Sequence, residues 1–549
     1  MSPLEIRAVK LGALPIIRHF TDRLGLRRAL EAYVPKDSRE KVPASDTLYA
    51  ILCNVILERF PLYKMGEWCQ EREVLSPDLC GVLNDDRVGR ALDRLFRSDR
   101  ATLITDVVLR AIEEFELNMD RLHNDSTSLK FFGEYEQLRP KAARPKRGHS
   151  KDHRPDLKQL VFSLTICGDG AVPVFYRLWD GNVTDDSTHL TNWMALQRLT
   201  GTSKFTYVAD SKLCVRAVME FIDSQGGTFI TVVPETRLEV GAFKNWIQSN
   251  TPTWVEVLRR KGRKKSAPDS VYLAFEDPRP SAEGFRIIWI LSSEKQRIDE
   301  QKRSIAIEKT ADALNALVGK TYRNCERLGK AIEAIFAEHR SERYFHYQIT
   351  RQEKPRYRQE SRGRPNNNTK YTKQIDTFYG VTWTHNQDEI RRLAKCDGLF
   401  PLMTNGKDMA ATVLETYKYQ PRLEKRHEQL KSVYDVAPVF LKNTERIEAL
   451  ICVYFLALLV TALIERQVRS AMKTSNIPSI PLYPEKRQCK HPTADKIFDL
   501  FRDCRLQTIM QGEKVLEVVP DSFSLTQNQL LDLLGMKTDA YFTTEYANR

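Results

Sequence analysis

The spacing of apolar residues changes along the chain and divides it into regions of different predicted structure. Up to about residue 118, apolar residues recur with helical spacing, most clearly over Leu48–Leu57 and Val88–Phe96. This spacing predicts helices, each with one apolar face. Prolines punctuate the pattern at Pro35, Pro43, Pro61 and Pro77. We therefore expect a helical N-terminal domain over residues 1–118.

After residue 118 the pattern changes to short apolar runs that are typical of β-strands. Three such runs follow one another, and two more alternate with helical patterns. This succession predicts an α/β fold, a mixed sheet with helices packed on it. The predicted strands are Leu122–Phe132, Leu160–Cys167, Val172–Leu178, Phe205–Ala209 and Phe229–Val233, and the predicted helices are Thr188–Leu199 and Lys212–Ile222.

Residues 236–399 interrupt this fold with a different pattern. Val271–Phe275 and Phe285–Leu291 have strand patterns, whereas 352–373 is polar and basic, with prolines and three consecutive asparagines. We expect a β-rich insertion in which 352–373 is a mobile loop. A strand pattern returns at Gly398–Met403. The predicted regions are 1–118, 119–235, 236–399, 400–475 and 476–549, the last a small C-terminal region.

One apolar segment is long enough to raise the question of a membrane. Ala449–Ile464 has sixteen residues without a charge, which is below the roughly 18 that a spanning helix needs. Charged residues bracket it on both sides, among them Arg446 and Arg466. We interpret it as a helix buried on all sides in a large core, and we expect no membrane partner.

Composition narrows the expected partner and compartment. The chain has 85 Lys and Arg against 72 Asp and Glu, a net charge of +13. This surplus favours a polyanionic partner, although a solvated basic surface accounts for it equally well. Basic residues concentrate at 139–154, which includes Lys146, Arg147 and Lys151, and at 259–265. The ten cysteines form no CxxC pair, which is typical of a reduced, cytoplasmic protein.

Two aspartates occupy positions that suit metal-ion chemistry. Asp125 lies in a polar cluster inside the first strand pattern, and Asp210 directly follows Phe205–Ala209. Sites in α/β sheets tend to form at strand ends. Two Mg²⁺ ions about 4 Å apart can activate a nucleophile and relieve the charge on a phosphate. Because Mg²⁺ keeps several waters, two or three carboxylates suffice to hold such ions.

A third acid, Glu424, lies in a helical pattern with other polar residues. Tyr417 and Gln420 precede it by seven and four residues, and Lys431 follows it by seven. On a continuous helix these four side chains would share one face and could bind metal and phosphate together. A solvated charged helix accounts for the same spacing. Pro421 also argues against one unbroken helix, since proline favours the first position of a new one.

These residues resemble a motif of bacterial insertion-sequence transposases of the DDE type, which have a ribonuclease-H-like catalytic domain. In the subgroup that matches best, the last acid lies in a Tyr-Arg-Glu-Lys motif. Here the motif corresponds to Tyr417, Gln420, Glu424 and Lys431, with the spacing kept. Gln420 stands where Arg is usual, and Arg422 is a candidate to replace that Arg in contacting phosphate.

The resemblance extends over most of the chain. The segment 148–159 resembles the segment that follows the first Asp in these transposases, and 397–405 resembles the strand that precedes the last motif. Pro421 stands where Trp is common in the family. A β-rich insertion between the second Asp and the Glu is typical of the subgroup and agrees with 236–399. The resemblance implies a ribonuclease-H-like mixed sheet with flanking helices, interrupted by this insertion. A helical domain for DNA-end binding or dimerisation would precede it.

The function that the resemblance implies is DNA transposition. The protein would cut the ends of an insertion sequence and transfer the freed 3′-OH to target DNA. Asp125, Asp210 and Glu424 would hold two Mg²⁺ ions, with Mn²⁺ as an alternative, and a homodimer would hold two double-stranded DNA ends. The residues expected to contact DNA are Tyr417, Gln420, Arg422, Lys431, Lys146, Arg147 and Lys151.

Two other functions stay open on the sequence alone. A metal-dependent DNA nuclease without strand transfer would use the same three acids. A non-catalytic DNA-binding protein from a decayed element would need none of them, and the presence of all three argues against decay. Release of a 3′-OH without a joined product would favour the nuclease.

Overall fold

The computed structural model describes residues 3–131, 142–148, 156–184, 187–262, 267–433, 443–512 and 514–542. The chain divides into two compact units. One comprises Met1–Thr231 with Leu414–Arg549, and the other comprises Val232–Val413. All three candidate acids belong to the first unit. The second unit lies in the sequence between the second and third acids, where an insertion is predicted.

Short helices make up the N-terminal region of the first unit. They follow strand β1 (Leu4–Lys10) and are α1 (Leu14–Arg23), α2 (Leu26–Tyr33), α3 (Ala44–Leu57), α4 (Met65–Arg72), α5 (Pro77–Val82), α6 (Asp85–Arg97) and α7 (Arg100–Glu114). The two clearest helical patterns lie inside α3 and α6, and α3 is buried along most of its length. Asn84 and Asp99 cap α6 and α7, because each side chain accepts a backbone hydrogen bond there.

A mixed sheet follows in the first unit. Its strands are β2 (Arg121–Phe131), β3 (Lys158–Cys167), β4 (Pro173–Trp179), β5 (Thr206–Val208) and β6 (Thr228–Val232), with α8 (His189–Thr200) and α9 (Arg216–Ser224) between them in sequence. Their order is β4-β3-β2-β5-β6. β3 is antiparallel to β2 and β4, whereas β2, β5 and β6 run parallel. The predicted α/β character, a mixed sheet with helices, is confirmed.

The second unit mixes helices and strands, so the prediction of a β-rich insertion is too narrow. Its elements are α10 (Leu238–Ser249), β7 (Val255–Arg260), β8 (Ser270–Glu276), β9 (Arg286–Ser292), α11 (Ser293–Asn315), α12 (Cys325–His339), β10 (Phe345–Gln359), β11 (Tyr371–His385), α13 (Gln387–Ala394) and β12 (Leu399–Thr404). Neighbours in the order β12-β9-β8-β7 are antiparallel. Helix α11 buries only Thr310 and Leu314. Because so little of the helix faces a core, its sequence lacks the regular apolar spacing that predicts a helix.

The prediction of a mobile loop is wrong for half of 352–373. Strands β10 and β11 pair antiparallel over fifteen residues each, so 352–359 and 371–373 belong to this two-stranded ribbon, and 360–370 connects the two strands. Pro355 lies inside β10, opposite Ile375. Each strand of a two-stranded ribbon has one free edge, where a missing N–H breaks no ladder bond. The ribbon therefore tolerates a proline that a central strand would not.

A long buried helix runs through the first unit. It is α16 (Thr444–Thr474), and it follows α14 (Ala410–Tyr417), α15 (Gln420–Glu428) and a π-helical segment, Gln429–Val433. Every residue of Ala449–Ile464 is buried, which confirms the predicted core helix. By length and composition α16 could cross a membrane, and 89% of its most apolar stretch is buried inside the protein. It packs against α3, α6 and β4.

The C-terminal region joins the N-terminal strand in one small sheet. Its elements are α17 (Ala494–Phe501), β13 (Arg505–Gln511), β14 (Lys514–Pro520), α18 (Leu525–Leu534) and α19 (Thr538–Phe542). Strand β13 pairs antiparallel with both β1 and β14. The hydroxyl of Tyr541 also donates a hydrogen bond to the carbonyl of Gly12. Both ends of the described chain thus belong to the same unit.

Candidate active site

Asp125 lies on β2, and Asp210 follows the end of the parallel neighbour β5. The pairing of β2 with β5 places His123 beside Val208. Each aspartate follows its member of this pair by two residues, and Asp210 lies two residues beyond the end of β5. The charges of both carboxylates raise the pKa of Tyr207 and of Tyr417, so the two acids lie near the same two phenols.

Local hydrogen bonds orient both aspartates. The Oδ1 atom of Asp125 accepts from the backbone N–H of Ser126 at 2.8 Å. The Oδ1 atom of Asp210 accepts from the N–H of Lys212 at 3.0 Å, which begins a short 3₁₀ turn. The carbonyl of Asp210 accepts from the hydroxyl of Thr231 at 2.7 Å. The chain is thus fixed directly after β5, where the sequence pattern places this acid.

The first residue of helix α15, Gln420, contacts strand β2 through its side-chain amide. Its Oε1 atom lies 3.2 Å from Nδ1 of His123, and its Nε2 atom donates to the carbonyl of Asn124 at 3.3 Å. Gln420 therefore positions the helix on the strand that carries Asp125. Its predicted contact with DNA stays a prediction.

Glu424 lies on the face of α15 that is directed toward β2. It follows Gln420 by four residues and precedes His427 by three, so the three side chains share a face. The Nε2 atom of His427 lies 3.9 Å from Oδ2 of Asp125. Glu424 is thus flanked by two residues that contact β2, while its own side chain is exposed.

The three acids converge on the phenol of Tyr417. Burial raises the pKa of Tyr417 to about 12, and the negative charges of Asp210, Glu424 and Asp125 add to this effect. Burial also raises the pKa of Tyr207, and Asp210 and Asp125 raise it further. One side chain at the end of α14 therefore lies within electrostatic reach of every predicted metal ligand.

Tyr417, Gln420, Glu424 and Lys431 do not lie on one continuous helix. Helix α14 ends at Tyr417, and α15 begins at Gln420 with Pro421 in its first turn. This break confirms the expectation drawn from the proline. Lys431 lies in the π-helical segment, which has a different number of residues per turn from an α-helix. Tyr417 therefore approaches the acids from the end of α14, and not from the same helix as Glu424.

A buried arginine holds α15 from its other side. Arg426 donates from Nε to the carbonyl of Ala171 at 3.0 Å and from an Nη atom to Gln429 at 2.9 Å. Its other Nη atom lies 3.0 Å from a carboxylate oxygen of Glu465 on α16. Glu465 also accepts from the N–H of Ala494 at 3.1 Å. The helix is therefore tied to the sheet and to the core helix at once.

His123 is neutral in the folded protein. Burial lowers its pKa to about 4; nearby Arg121 lowers it as well, and the hydrogen bond to Gln420 opposes the shift. Because Oε1 of Gln420 can only accept, Nδ1 of His123 carries the proton. The sequence reading missed both His123 and His427, although His427 follows Glu424 by one helical turn.

The predicted DNA contacts differ in their surroundings. Lys146 forms an ion pair with Asp180 at 2.9 Å, and Arg147 is exposed. Lys151 lies outside the described residues. Arg422 is exposed on α15. Burial lowers the pKa of His491, and the charges of Arg422, Arg469, Lys425 and Lys490 lower it further, which places these cations around one point.

The donor chemistry of the site suits Mg²⁺, although the side chains do not form a ready metal cage. No group of three or more His, Cys, Asp or Glu in the described part of the chain is arranged to hold a metal ion. Mg²⁺ prefers oxygen ligands and usually takes one or two carboxylates together with water. Asp125 and Asp210 are carboxylates of the kind that this requirement calls for, and Glu424 lies on α15, which contacts β2 through Gln420.

Comparison with known proteins gives two findings. Residues 6–109 match the model of a domain of unknown function, DUF4277. Among solved structures, the chain is similar to the cryo-EM structure of the piggyBac transposase synaptic complex with hairpin DNA, at 11% identity and a TM-score of 0.25. The match covers 52% of this chain and 61% of that transposase. No curated protein matches.

Neither comparison identifies the residues that correspond to Asp125, Asp210 and Glu424. The family match covers the N-terminal helices and ends before Asp125. The chain spans about three-fifths of the length of the solved transposase, and a likeness at this TM-score is too low to define the fold.

We predict that Arg426→Met destabilises the protein by about 3–5 kcal/mol, because it removes one partner of a buried ion pair. The double variant Arg426→Met/Glu465→Leu should recover at least about 1 kcal/mol, since both charges are then gone. Urea unfolding measures these differences. Arg422→Met, exposed on the same helix, is the control and should change stability by less than about 0.5 kcal/mol. Equal effects of Arg426→Met and Arg422→Met would contradict the assignment.

A second prediction concerns pH. The pKa of His123 is about 4 in the folded protein and about 6.5 when unfolded. Protonation of the unfolded chain should therefore cost stability as the pH falls below 6.5, by about 2–3 kcal/mol between pH 7 and pH 4.5. In His123→Gln this contribution is absent, so the stability difference between wild type and variant should shrink by that amount on acidification. A pH-independent difference in urea unfolding would refute a neutral His123.

Proposed function

We propose that this protein is a DNA transposase of the DDE type, as found in bacterial insertion sequences, with a ribonuclease-H-like catalytic domain. The convergence of Asp125, Asp210 and Glu424 on Tyr417 is the observation that carries the proposal. Asp125 on β2, Asp210 just after β5 and Glu424 on α15 would together form a negative site, and cations would relieve their mutual repulsion. A phosphodiester bound through those cations would lie at the same point.

The mixed sheet supports the proposed fold. Its central strand β2 carries Asp125, and the parallel neighbour β5 ends just before Asp210. The antiparallel strands β3 and β4 complete the sheet on the other side of β2. Helix α15 crosses this scaffold with Glu424. The hydrogen bonds of Asp125 and Asp210 to nearby backbone N–H groups, and the contact of α15 with β2, would bring together three acids that are far apart in the sequence.

Each residue would have a separate task in cleavage. When bound, two Mg²⁺ ions, or Mn²⁺ in their place, supply an activated water and stabilise charge on the phosphate. Asp125, Asp210 and Glu424 would hold the ions. Tyr417, with a pKa of about 12, is protonated at neutral pH and would donate a hydrogen bond to a phosphate oxygen. Neutral His123 adds no charge beneath the site.

The proposed reaction is cut-and-paste transposition. Water would cut the element's ends, and the freed 3′-OH would attack target DNA, in a homodimer that holds two double-stranded ends in the cytoplasm. The cations around His491 support a phosphate path next to α15. The proposed phosphate contacts are Arg422, Lys431, Lys146, Arg147 and Lys151. Gln420 would position α15, and its place in the family motif makes it a further candidate for a DNA contact.

We expect Asp125→Asn, Asp210→Asn and Glu424→Gln each to lower Mg²⁺-dependent cleavage by more than about 100-fold. Partners one step removed from a metal already contribute about 10–100-fold, and a direct ligand should contribute more. The substrate is duplex DNA that carries the sequences flanking the gene, and gel analysis of cut and joined products gives the readout. DNA binding in EDTA should be largely retained.

The chain offers two matched controls. Glu428→Gln removes an exposed acid one turn beyond Glu424, and Asp120→Asn removes an exposed acid just before β2. Both should cleave as wild type does. Metal-dependent cleavage by any of the three site variants would overturn the assignment of that acid. Cut ends without joined products in the wild type would replace the transposase by a nuclease.

A further inference from the structure

The ribbon formed by β10 and β11 extends from a firm base in the second unit. At the base, Phe345 and Val381 belong to a buried cluster with Leu328 and Phe336 of α12. The two strands stay paired for fifteen residues, which corresponds to a length of about 50 Å. An isolated pair of strands is only marginally stable in water. The long exposed part therefore gains little for folding and requires another explanation.

The far half of the ribbon is exposed and strongly basic. β10 is exposed from Arg351 to Arg358, and β11 from Tyr371 to Ile375. Between residues 351 and 373 there are eight Lys and Arg but only two acidic residues. Arg351 pairs with Glu353 at 2.7 Å, and Arg356 lies 3.9 Å from Asp376. Within the described ranges no carboxylate pairs with the other arginines and lysines at the tip, which are Arg358, Arg362, Arg364, Lys370 and Lys373.

The two faces of the ribbon have different chemistry. Lys354, Arg356 and Arg358 alternate along β10 and share one face, where their cross-strand partners are Asp376, Gln374 and Thr372. We call this the cationic face. Its cations repeat about every 7 Å. The opposite face carries Tyr357, which is 63% exposed, and Ile375, which is 59% exposed. Its cations in the exposed paired region are Lys373 and Arg351, and Arg351 is paired with Glu353 on the same face.

We propose that this ribbon is a second DNA-binding element, which contacts a DNA duplex through its cationic face. A two-stranded ribbon has the width that the major groove admits. Duplex DNA presents one phosphate charge per about 1.7 Å of axis, so three cations over about 14 Å always meet phosphates. An anionic bilayer fits less well, because its surface would have to engage the cations and the apolar side chains together, and Lys354, Arg356 and Arg358 lie on the face opposite Tyr357 and Ile375.

This element goes beyond the metal site, since none of the three acids belongs to the second unit. It rests on the proposed function only in the choice of DNA as the polyanion. It also accounts for part of the net charge of +13, because the eight basic and two acidic residues between 351 and 373 contribute +6.

The test uses the full chain with Lys354→Gln, Arg356→Gln and Arg358→Gln combined. Fluorescence anisotropy with a labelled 40-base-pair duplex in EDTA measures affinity as KCl is varied. We expect affinity at low salt to fall at least 10-fold. The slope of log K against log salt should become less negative by about 2–3, because each phosphate contact contributes about 0.9. Circular dichroism and the thermal midpoint should stay at wild-type values, since all three residues are exposed.

The matched control combines Arg327→Gln, Lys330→Gln and Arg391→Gln, which removes three exposed cations from α12 and α13 of the same unit. Its slope should equal that of the wild type. An unchanged slope in the ribbon variant, or an equal change in the control, would overturn the proposal. So would loss of binding to phosphatidylserine vesicles with DNA binding intact.

A further variant separates the two faces. Tyr357→Ser with Ile375→Thr alters the opposite face and should leave the salt slope unchanged. If this variant abolished DNA binding and the cationic-face variant did not, the assigned face would be wrong. Binding is measured without divalent metal, so failure here leaves the cleavage results of Asp210→Asn unaffected. Failure of the metal site would likewise leave the ribbon result standing.

Discussion

The buried guanidinium of Arg426 is the contact on which the candidate site depends. It joins the carbonyl of Ala171, in the turn between β3 and β4, to Glu465 in the core helix α16. Ala171 adopts a left-handed backbone, with φ of 57°, which costs a non-glycine residue about 1–2 kcal/mol and which the charge-assisted bond offsets. Glu424 precedes Arg426 by two residues, so it lies on the opposite side of α15. Holding the arginine inward thus turns the acid outward over the sheet.

The same scaffold makes the assembly of three negative charges possible. Asp125 and Asp210 come near the same two phenols because β2 and β5 pair in parallel and each acid follows the paired stretch by two residues. Backbone N–H groups stabilise both carboxylates, and Tyr417 remains protonated among them. Neutral His123 lies beneath and contributes no compensating charge. Divalent cations are the simplest groups that would balance such a site, and the rigid strands would keep the ligands in place before they bind.

Local patterns in the sequence predicted what depends on local structure. Asp210 follows its strand, Pro421 begins a new helix, and Ala449–Ile464 forms a buried core helix, as expected. The contacts of His123 and Arg426 join residues hundreds of positions apart, and no spacing rule within one element could reveal them. The ribbon was predicted as a loop for another reason: its polar, basic residues alternate on two exposed faces, so the pattern lacks the apolar alternation of a strand that covers a core.

Gln420 explains how the motif can depart from its usual form without loss of the site. An amide both accepts and donates, and Gln420 uses both capacities, toward Nδ1–H of His123 and toward the carbonyl of Asn124. An arginine at this position could donate to the carbonyl but could not accept from the histidine. The exchange therefore couples residue 420 to a neutral His123 and ties α15 to β2. In the proposed transposase, exposed Arg422 would take over the phosphate contact of the usual Arg; its charge is one of several cationic charges that lower the pKa of His491.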